Sequence, residues 1–234
     1  MNKKSSRSFI KHPAFFLNCI LATLGLIGLI ISIITMGASL FCYYTQLSNI
    51  FCLITAILYM IECFKAERRK NEYETLRNVT ALGAVELPHW VIMLRYTATS
   101  MVTVTFLIAV TVLPPMFNNL WQGYIQILFV GANFFYHVAC PLLSILSFGF
   151  YEKNERLRFT STFIAVIPTA LYAAVTVILN ILRVLHGPYP FLYVYEQPPI
   201  ASVLWCSAIL LVAWILAIVN WAIHNRKISK EQFV

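Results

Sequence analysis

Aspartate is absent from this sequence, and its nine acidic side chains are all glutamates. Glu62 lies at the inner edge of an apolar segment and Glu196 in a loop that we predict to be outside the membrane, while the other seven fall in polar segments that we predict to be cytoplasmic. These seven are Glu67, Glu72, Glu74, Glu86, Glu152, Glu155 and Glu231. A Ser-His-acid triad needs a carboxylate beside the histidine, so we do not expect such a triad inside the membrane.

Patterns for metal and nucleotide binding are also missing. The six cysteines form no C-x-x-C pair and lie in or beside apolar segments, which predicts packing residues rather than a disulfide or a metal cluster. A zinc hydrolase needs about three protein ligands, and His137 is the one histidine near the middle of an apolar segment. P-loop and dinucleotide glycine patterns are absent as well. We therefore expect no metal and no cofactor.

Apolar residues make up 60% of the 234 residues and charged residues only 11%, a balance typical of membrane proteins. Six apolar windows are long enough to cross a hydrocarbon layer about 30 Å thick as helices. They cover about 14–35, 40–63, 93–113, 124–149, 160–182 and 201–223. The sequence predicts an all-α integral membrane protein, with residues 1–234 forming one bundle of six transmembrane helices.

Lysine and arginine fall in alternate polar segments. Sixteen of the 17 lie before the first window, in the second and fourth loops, or after the last window. By the positive-inside rule, both termini are predicted to be cytoplasmic. The net charge of +8 then reflects orientation, so we expect contact with the lipid bilayer and no nucleic acid, and nothing implies a protein partner. The short basic start suits a bacterial inner membrane.

Hydrogen-bonding side chains are concentrated on two of the windows. Thr45, Ser48 and Asn49 follow a spacing that places them on one helix face, and Asn133 and His137 share a face of another helix. Pro141 removes the helical partner of the His137 carbonyl, which predicts a kink there. Because polar groups are costly in lipid, we expect the two faces to bury each other.

Two interpretations of this polar seam are open. A threonine hydroxyl becomes a nucleophile when a neighbouring imidazole takes its proton, and Asn49 and Asn133 could donate hydrogen bonds to an oxyanion. The protein would then be an intramembrane hydrolase of lipid esters, with Thr45 and His137 catalytic and Ser48, Asn49 and Asn133 binding the substrate. Alternatively, the seam only joins helices or binds a ligand, as in a lipid or small-molecule transporter or a sensor.

Depth in the bilayer argues against a Thr45–His137 pair. From the predicted window starts, the helical rise places Thr45 about 8 Å below the outer surface and His137 about 20 Å below it. Helix tilt, a kink, or a later start of the fourth window near residue 126 or 127 would reduce this difference. A separation above about 6 Å with no room to approach would count against the pair.

Three short segments resemble a known family. The stretches YYTQLSNIF (residues 43–51), NFFYHVACPLL (133–143) and HGPYPF (186–191) are similar to the androgen-induced membrane hydrolases, the family of the androgen-dependent TFPI-regulating protein, and to their prokaryotic six-span relatives. The resemblance implies hydrolysis of fatty acid esters of hydroxy fatty acids, with Thr45 and His137 at the catalytic positions. Where prokaryotic relatives often carry an aspartate, some six residues after the proline, this chain has Ser147.

The segment 183–199 is the longest outer connection and is rich in Tyr, Phe and Pro. Aromatic residues at this position normally form an interfacial belt. Because Thr45 is predicted near the same side, the segment could also fold over the site as a lid. Arg183 and Glu196 are the charges predicted outside, and we expect them to pair or to hold a lipid headgroup.

Overall fold

A computed structural model describes residues 9–76, 87–152 and 155–231. Throughout these ranges the regular structure is helical, with no strand. The main helices are α1 (Pro13–Met36), α2 (Tyr44–Leu76), α3 (His89–Thr111), α4 (Leu120–Phe129), α5 (Cys140–Phe150), α6 (Ser161–Ile181) and α7 (Pro199–Glu231). A π-helical segment, Phe134–Ala139, runs directly into α5. The predicted all-α class is therefore confirmed for the described residues.

Among the described residues, five helices are long and apolar enough to cross a membrane, and a bent pair brings the number to six if it counts as one span. Large apolar side chains remain exposed on the outside of the bundle, among them Ile34 at 77% and Leu204 at 62%. A water-soluble protein does not leave such a surface uncovered, whereas lipid covers it. The protein is a multi-pass integral membrane protein.

The central helix is α3, which contacts α2, α5, α6 and α7. In its most apolar window 67% of the residues are buried, against 11% in the corresponding window of α7. Helix α1 packs on α2 and reaches the π-helical segment through Gly28, where a Cβ atom would lie 2.5 Å from the Tyr136 ring. The absence of a side chain at Gly28 therefore permits this close approach.

The predicted continuous helix over residues 124–149 is wrong. The structure has α4 and the segment Phe134–Phe150 instead, bent by 87° relative to each other. Between them Val130 is extended, and Gly131 has a φ of 61°, a conformation that favours glycine. Asn133 holds the bend by donating from its side chain to the Gln126 carbonyl at 2.8 Å. Hydropathy detects apolar content and not chain direction, so the window method joined the two helices.

Pro141 affects a different carbonyl from the one predicted, that of Tyr136 rather than that of His137. In the π-helical segment the Cys140 N–H donates to the Phe135 carbonyl, so the helical donor for the Tyr136 carbonyl would be residue 141. Proline has no N–H, and the Asn49 side chain donates to the Tyr136 carbonyl instead, at 3.1 Å. The sharp bend lies further upstream, at residues 130–133.

A buried ion pair corrects the predicted placement of two charges. The charge pattern predicts Arg95 in the second loop and Glu152 in a polar cytoplasmic segment, but Arg95 lies within α3 and is fully buried, and Glu152 follows α5 and is 2% exposed. The guanidinium donates to both carboxylate oxygens, from Nη2 at 2.9 Å and from Nε at 3.0 Å. Asn18 and Ser147 also donate to Glu152 Oε1, at 2.8 and 2.7 Å. The sequence pattern gives each charge separately, whereas a charged side chain can be buried when an oppositely charged partner lies beside it.

Candidate functional site

Thr45 is the second residue of α2 and is 8% exposed. A 3₁₀ turn, Gly37–Cys42, ends at the extended residue Tyr43, and α2 then begins at Tyr44. The Tyr43 carbonyl already accepts from the N–H groups of Gln46 and Leu47, the first bonds of the new helix. This start leaves the Thr45 N–H without an acceptor in its own helix, as is usual in the first turn.

His137 lies directly beside Thr45. Its Nε2 atom is 3.3 Å from Thr45 Oγ1, and the imidazole is 5% exposed. The expected difference in depth disappears because the chain bends sharply between α4 and the segment that carries His137. His137 is the fourth residue of Phe134–Phe150, near the end of the bundle where α2 begins, rather than about thirteen residues into a long helix.

The second imidazole nitrogen determines which form of His137 is present. Nδ1 lies 2.5 Å from the carbonyl oxygen of Ile127, which is in α4 on the other side of the bend. A carbonyl only accepts hydrogen bonds, so we assign the proton of the neutral imidazole to Nδ1. Nε2 then presents its lone pair to the Thr45 hydroxyl. This is the tautomer that a general base requires.

Tyr189, from the connection between α6 and α7 (residues 182–198, hereafter the α6–α7 loop), completes the contacts of Thr45. Its hydroxyl oxygen is 3.2 Å from the Thr45 backbone nitrogen and 3.3 Å from Thr45 Oγ1. Burial raises the pKa of the phenol, outweighing the opposite effect of its hydrogen bonds to Thr45. Tyr189 is therefore protonated at neutral pH and can donate a hydrogen bond.

An apolar pocket of about 50 Å³ lies against Thr45, between α2, α3, α6, α7 and the α6–α7 loop. Val104, Ile108, Phe191 and Ile209 are among its lining residues, together with Thr45 and Tyr189. Thr45 lines the pocket, whereas His137 contacts Thr45 and does not line the pocket. The walls suit an acyl chain, although the space is narrow and a chain must part the side chains around it.

The three predicted substrate-binding residues have different neighbours. Ser48 bonds to Thr105 Oγ1 at 2.9 Å and to the Thr45 carbonyl at 3.1 Å, so it faces α3 and not His137. Asn49 donates to the carbonyls of Thr45 and Tyr136, at 2.9 and 3.1 Å. Asn133 holds the bend through Gln126. The structure thus brings Thr45 and His137 together and uses the amide hydrogens of both asparagines to support the backbone.

Two features of the site were not recognised from the sequence. The tyrosine of the HGPYPF stretch, Tyr189, was grouped with interfacial aromatics, although the resemblance had drawn attention to that stretch. The Ile127 carbonyl left no signal, because any residue carries a carbonyl. Of the two alternatives for Arg183 and Glu196, the pairing is wrong, because Arg183 stacks on the Tyr195 ring at 4.6 Å and Glu196 pairs with His186 at 3.0 Å. Contact of these charges with a lipid headgroup stays a prediction.

Within the described part of the chain, no group of three or more His, Cys, Asp or Glu side chains is placed to hold a metal ion. Comparisons with protein-family models, with curated proteins and with solved structures find no match to this chain. The chemistry of the site therefore has to be argued from its geometry.

Proposed function

We propose that the protein is an intramembrane hydrolase of lipid esters, with Thr45 as nucleophile and His137 as base. The proposed substrates are esters in which a fatty acid is bonded to the hydroxyl group of a hydroxy fatty acid. The observation that carries this proposal is the 3.3 Å contact between Thr45 Oγ1 and the unprotonated Nε2 of His137. The pairing of a hydroxyl with an oriented imidazole is the arrangement that activates a weak nucleophile. The apolar pocket beside Thr45 favours a lipid over a polar substrate.

In the first half of the reaction, Thr45 Oγ1 attacks the ester carbonyl carbon while its proton passes to His137 Nε2. The bond from that carbon to the alcohol oxygen then breaks, and the alcohol leaves with the proton. In the second half, water attacks the acyl-threonine and gives a proton to Nε2. The bond to Thr45 breaks, the free acid leaves, and the proton returns to the Thr45 oxygen.

The Ile127 carbonyl takes the place that an acidic residue has in a triad. It orients the ring and fixes the tautomer, but it carries no charge to stabilise an imidazolium. The pair of Thr45 and His137 therefore resembles a triad in geometry and is weaker in electrostatics. We infer a slow enzyme, because no carboxylate stabilises the imidazolium that forms in each half of the reaction.

Kinship with the androgen-induced membrane hydrolases and their prokaryotic six-span branch belongs to the same proposal, as does residence in a bacterial inner membrane with both termini in the cytoplasm. The arrangement of Thr45, His137 and the HGPYPF stretch around one point supports this kinship. Where prokaryotic relatives often carry an aspartate, the Ser147 hydroxyl donates to Glu152, and we propose this carboxylate as a local substitute.

The test uses the purified full-length protein in detergent, a fluorophosphonate probe and para-nitrophenyl octanoate. The wild type is expected to be labelled and to release nitrophenol, whereas Thr45→Ala and His137→Ala lose both activities by at least about a thousandfold. Thr111→Ala is the control, because that hydroxyl donates to the Leu107 carbonyl of its own helix and Thr111 does not line the pocket. It should keep wild-type activity.

Labelling of Thr45→Ala at the wild-type rate would remove Thr45 as the nucleophile. An inactive wild type that retains a fatty acid ester as firmly as Thr45→Ala does would instead support a binding protein, such as a transporter or sensor. The comparison of the wild type with Thr45→Ala therefore separates hydrolysis from binding.

A further inference from the structure

The hydrogen bonds around Thr45 have directions that can be assigned one by one. His137 Nε2 accepts from the Thr45 hydroxyl, so Thr45 Oγ1 has only its lone pairs left for other contacts. The bond of 3.3 Å between Oγ1 and the Tyr189 hydroxyl must then be donated by Tyr189. The Tyr189 oxygen in turn accepts from the Thr45 N–H at 3.2 Å. Tyr189 is thus a donor directed at the nucleophilic oxygen.

We propose that Tyr189 is a third catalytic residue, whose hydroxyl and the Thr45 N–H together form the oxyanion hole for the ester carbonyl. This inference rests on the proposed hydrolase function. When Thr45 Oγ1 attacks, the ester carbonyl carbon becomes tetrahedral and its carbonyl oxygen becomes an oxyanion. Because that carbon is now bonded to Oγ1, the oxyanion lies next to both donors. The carbonyl oxygen displaces the Tyr189 oxygen as acceptor of the Thr45 N–H, and the Tyr189 O–H turns from Oγ1 to the oxyanion. Serine proteases likewise use the N–H of their own nucleophile.

The other hydrogen-bonding side chains near the site already have partners. Asn49 uses both of its amide hydrogens on the carbonyls of Thr45 and Tyr136. Asn133 donates to Gln126 across the bend. The Tyr44 hydroxyl lies 2.7 Å from Thr169 Oγ1. Among the residues that the structure describes, Tyr189 and the Thr45 N–H are the donors that converge beside Thr45 Oγ1.

Tyr189 is held in place by contacts within the α6–α7 loop and with neighbouring elements. Its ring stacks on Phe191, with ring centres 5.2 Å apart and planes within 8° of parallel, and meets the edge of Tyr43 at 6.0 Å. Two residues upstream, Gly187 makes two hydrogen bonds with the Asn180 side-chain amide. Its N–H donates to Asn180 at 2.9 Å, and its carbonyl accepts from Asn180 at 2.6 Å. Such anchoring gives the preorganised donor that oxyanion stabilisation requires.

The decisive variant is Tyr189→Phe, which removes the hydroxyl and keeps the stacked ring. We expect the kcat for para-nitrophenyl octanoate to fall about 100-fold to 1,000-fold, the usual effect of losing one oxyanion donor, with KM changed less than about threefold. The control is Tyr195→Phe in the same loop, whose hydroxyl bonds to the Ile181 carbonyl at 2.7 Å. It should stay within about threefold of the wild-type kcat.

A second measurement separates catalysis from loop folding. Replacement of Tyr189 by 3,5-difluorotyrosine keeps the ring and the hydroxyl but makes the phenol more acidic. Because a phenolate cannot donate, the alkaline fall in kcat should move to lower pH, which a purely structural role would not cause. The titratable groups that face this phenol are Tyr43, Tyr44 and Tyr172, with His137 beyond Thr45, and none of these is altered by the replacement.

The outcomes distinguish this inference from the function on which it rests. A wild type that hydrolyses the ester, an inactive Thr45→Ala and a fully active Tyr189→Phe would overturn the role of Tyr189 and leave the hydrolase intact. An unmoved alkaline limb with difluorotyrosine would overturn it equally. Failure of the wild type to hydrolyse ester or react with the probe would overturn both proposals.

Discussion

Thr45 makes three hydrogen bonds to two side chains, and each bond uses a different property of the residue. Its hydroxyl hydrogen goes to His137, its oxygen lone pair to Tyr189, and its backbone N–H also to Tyr189. The residue contributes its hydroxyl as the reactive group and its N–H because it lies in the first turn of α2. A nucleophile further along the helix would have had its N–H occupied.

Serine at position 45 should preserve ester hydrolysis, whereas valine at the same position should abolish it. Thr45→Ser keeps the hydroxyl and should retain ester hydrolysis within about tenfold. Thr45→Val keeps the shape but should abolish hydrolysis, and it leaves Nε2 of the buried His137 without its donor, at a cost of about 1–3 kcal/mol in the free energy of unfolding. Octanoate release and denaturant titrations measure the two effects. An active Thr45→Val would contradict the assignment.

The polar stripe of α2 could be predicted from the sequence, but its partners could not. The spacing of Thr45, Ser48 and Asn49 correctly places them on one side of the helix. Side chains three and four residues apart still differ in direction enough to meet separate neighbours, which are His137, Thr105 and the Tyr136 carbonyl. Spacing along one helix contains no information about which atoms the other helices present.

At the scale of helices, the segment from α4 to α5 decides whether a site exists. The sequence contained signals for its bend, since Gly131 and Asn133 are turn-forming residues, but their apolar neighbours outweighed them in a window of about 20 residues. The π-helical register between the bend and Pro141 has no composition of its own. It could be found only in three dimensions, through the bond from Cys140 to Phe135.

Asn49 and Pro141 are expected to depend on each other, because both concern the Tyr136 carbonyl. Asn49→Leu removes the side-chain donor and should destabilise the protein by about 1–3 kcal/mol. In Pro141→Ala the restored backbone N–H can replace that donor, so the loss caused by Asn49→Leu should be smaller by about 1 kcal/mol in this background. A double-mutant cycle in denaturant measures the coupling.

The control cycle combines Pro141→Ala with Asn220→Leu, because the Asn220 amide bonds to Thr103 in a different part of the bundle. The effects of these two substitutions should add. Additivity of the Asn49 and Pro141 substitutions as well would show that the two residues do not serve the same carbonyl.

On the scale of the whole molecule, one broken span connects two polar centres. The segment Phe134–Phe150 carries His137 at its beginning, and Glu152 of the buried ion pair follows its end. Hydropathy correctly predicted the class of protein, since apolar content is a property of the whole chain. It misplaced Arg95 and Glu152, since the burial of a charge depends on its partner.

Removing one partner of this ion pair is expected to be far more damaging than removing both. Arg95→Met leaves the Glu152 carboxylate buried without its cation and should cost about 3–5 kcal/mol, while Arg95→Met combined with Glu152→Leu should recover most of that loss. The matched control is Lys65→Met, because Lys65 is largely exposed and its bond to Glu62 should contribute less than about 1 kcal/mol. A double variant as unstable as the single one would contradict this expectation.

The carbonyl of Ile127 has a consequence for any experiment that replaces side chains. An aspartate in its place would be visible in the sequence and would show a defect when replaced, whereas substitution at Ile127 leaves the carbonyl present. Alanine at position 127 would therefore leave in place the atom that orients the imidazole, while Thr45→Ala and His137→Ala remove the reacting groups themselves. Only changes to the backbone path, such as loss of Gly131 or Asn133, can move that oxygen away from Nδ1 and reveal its part in the site.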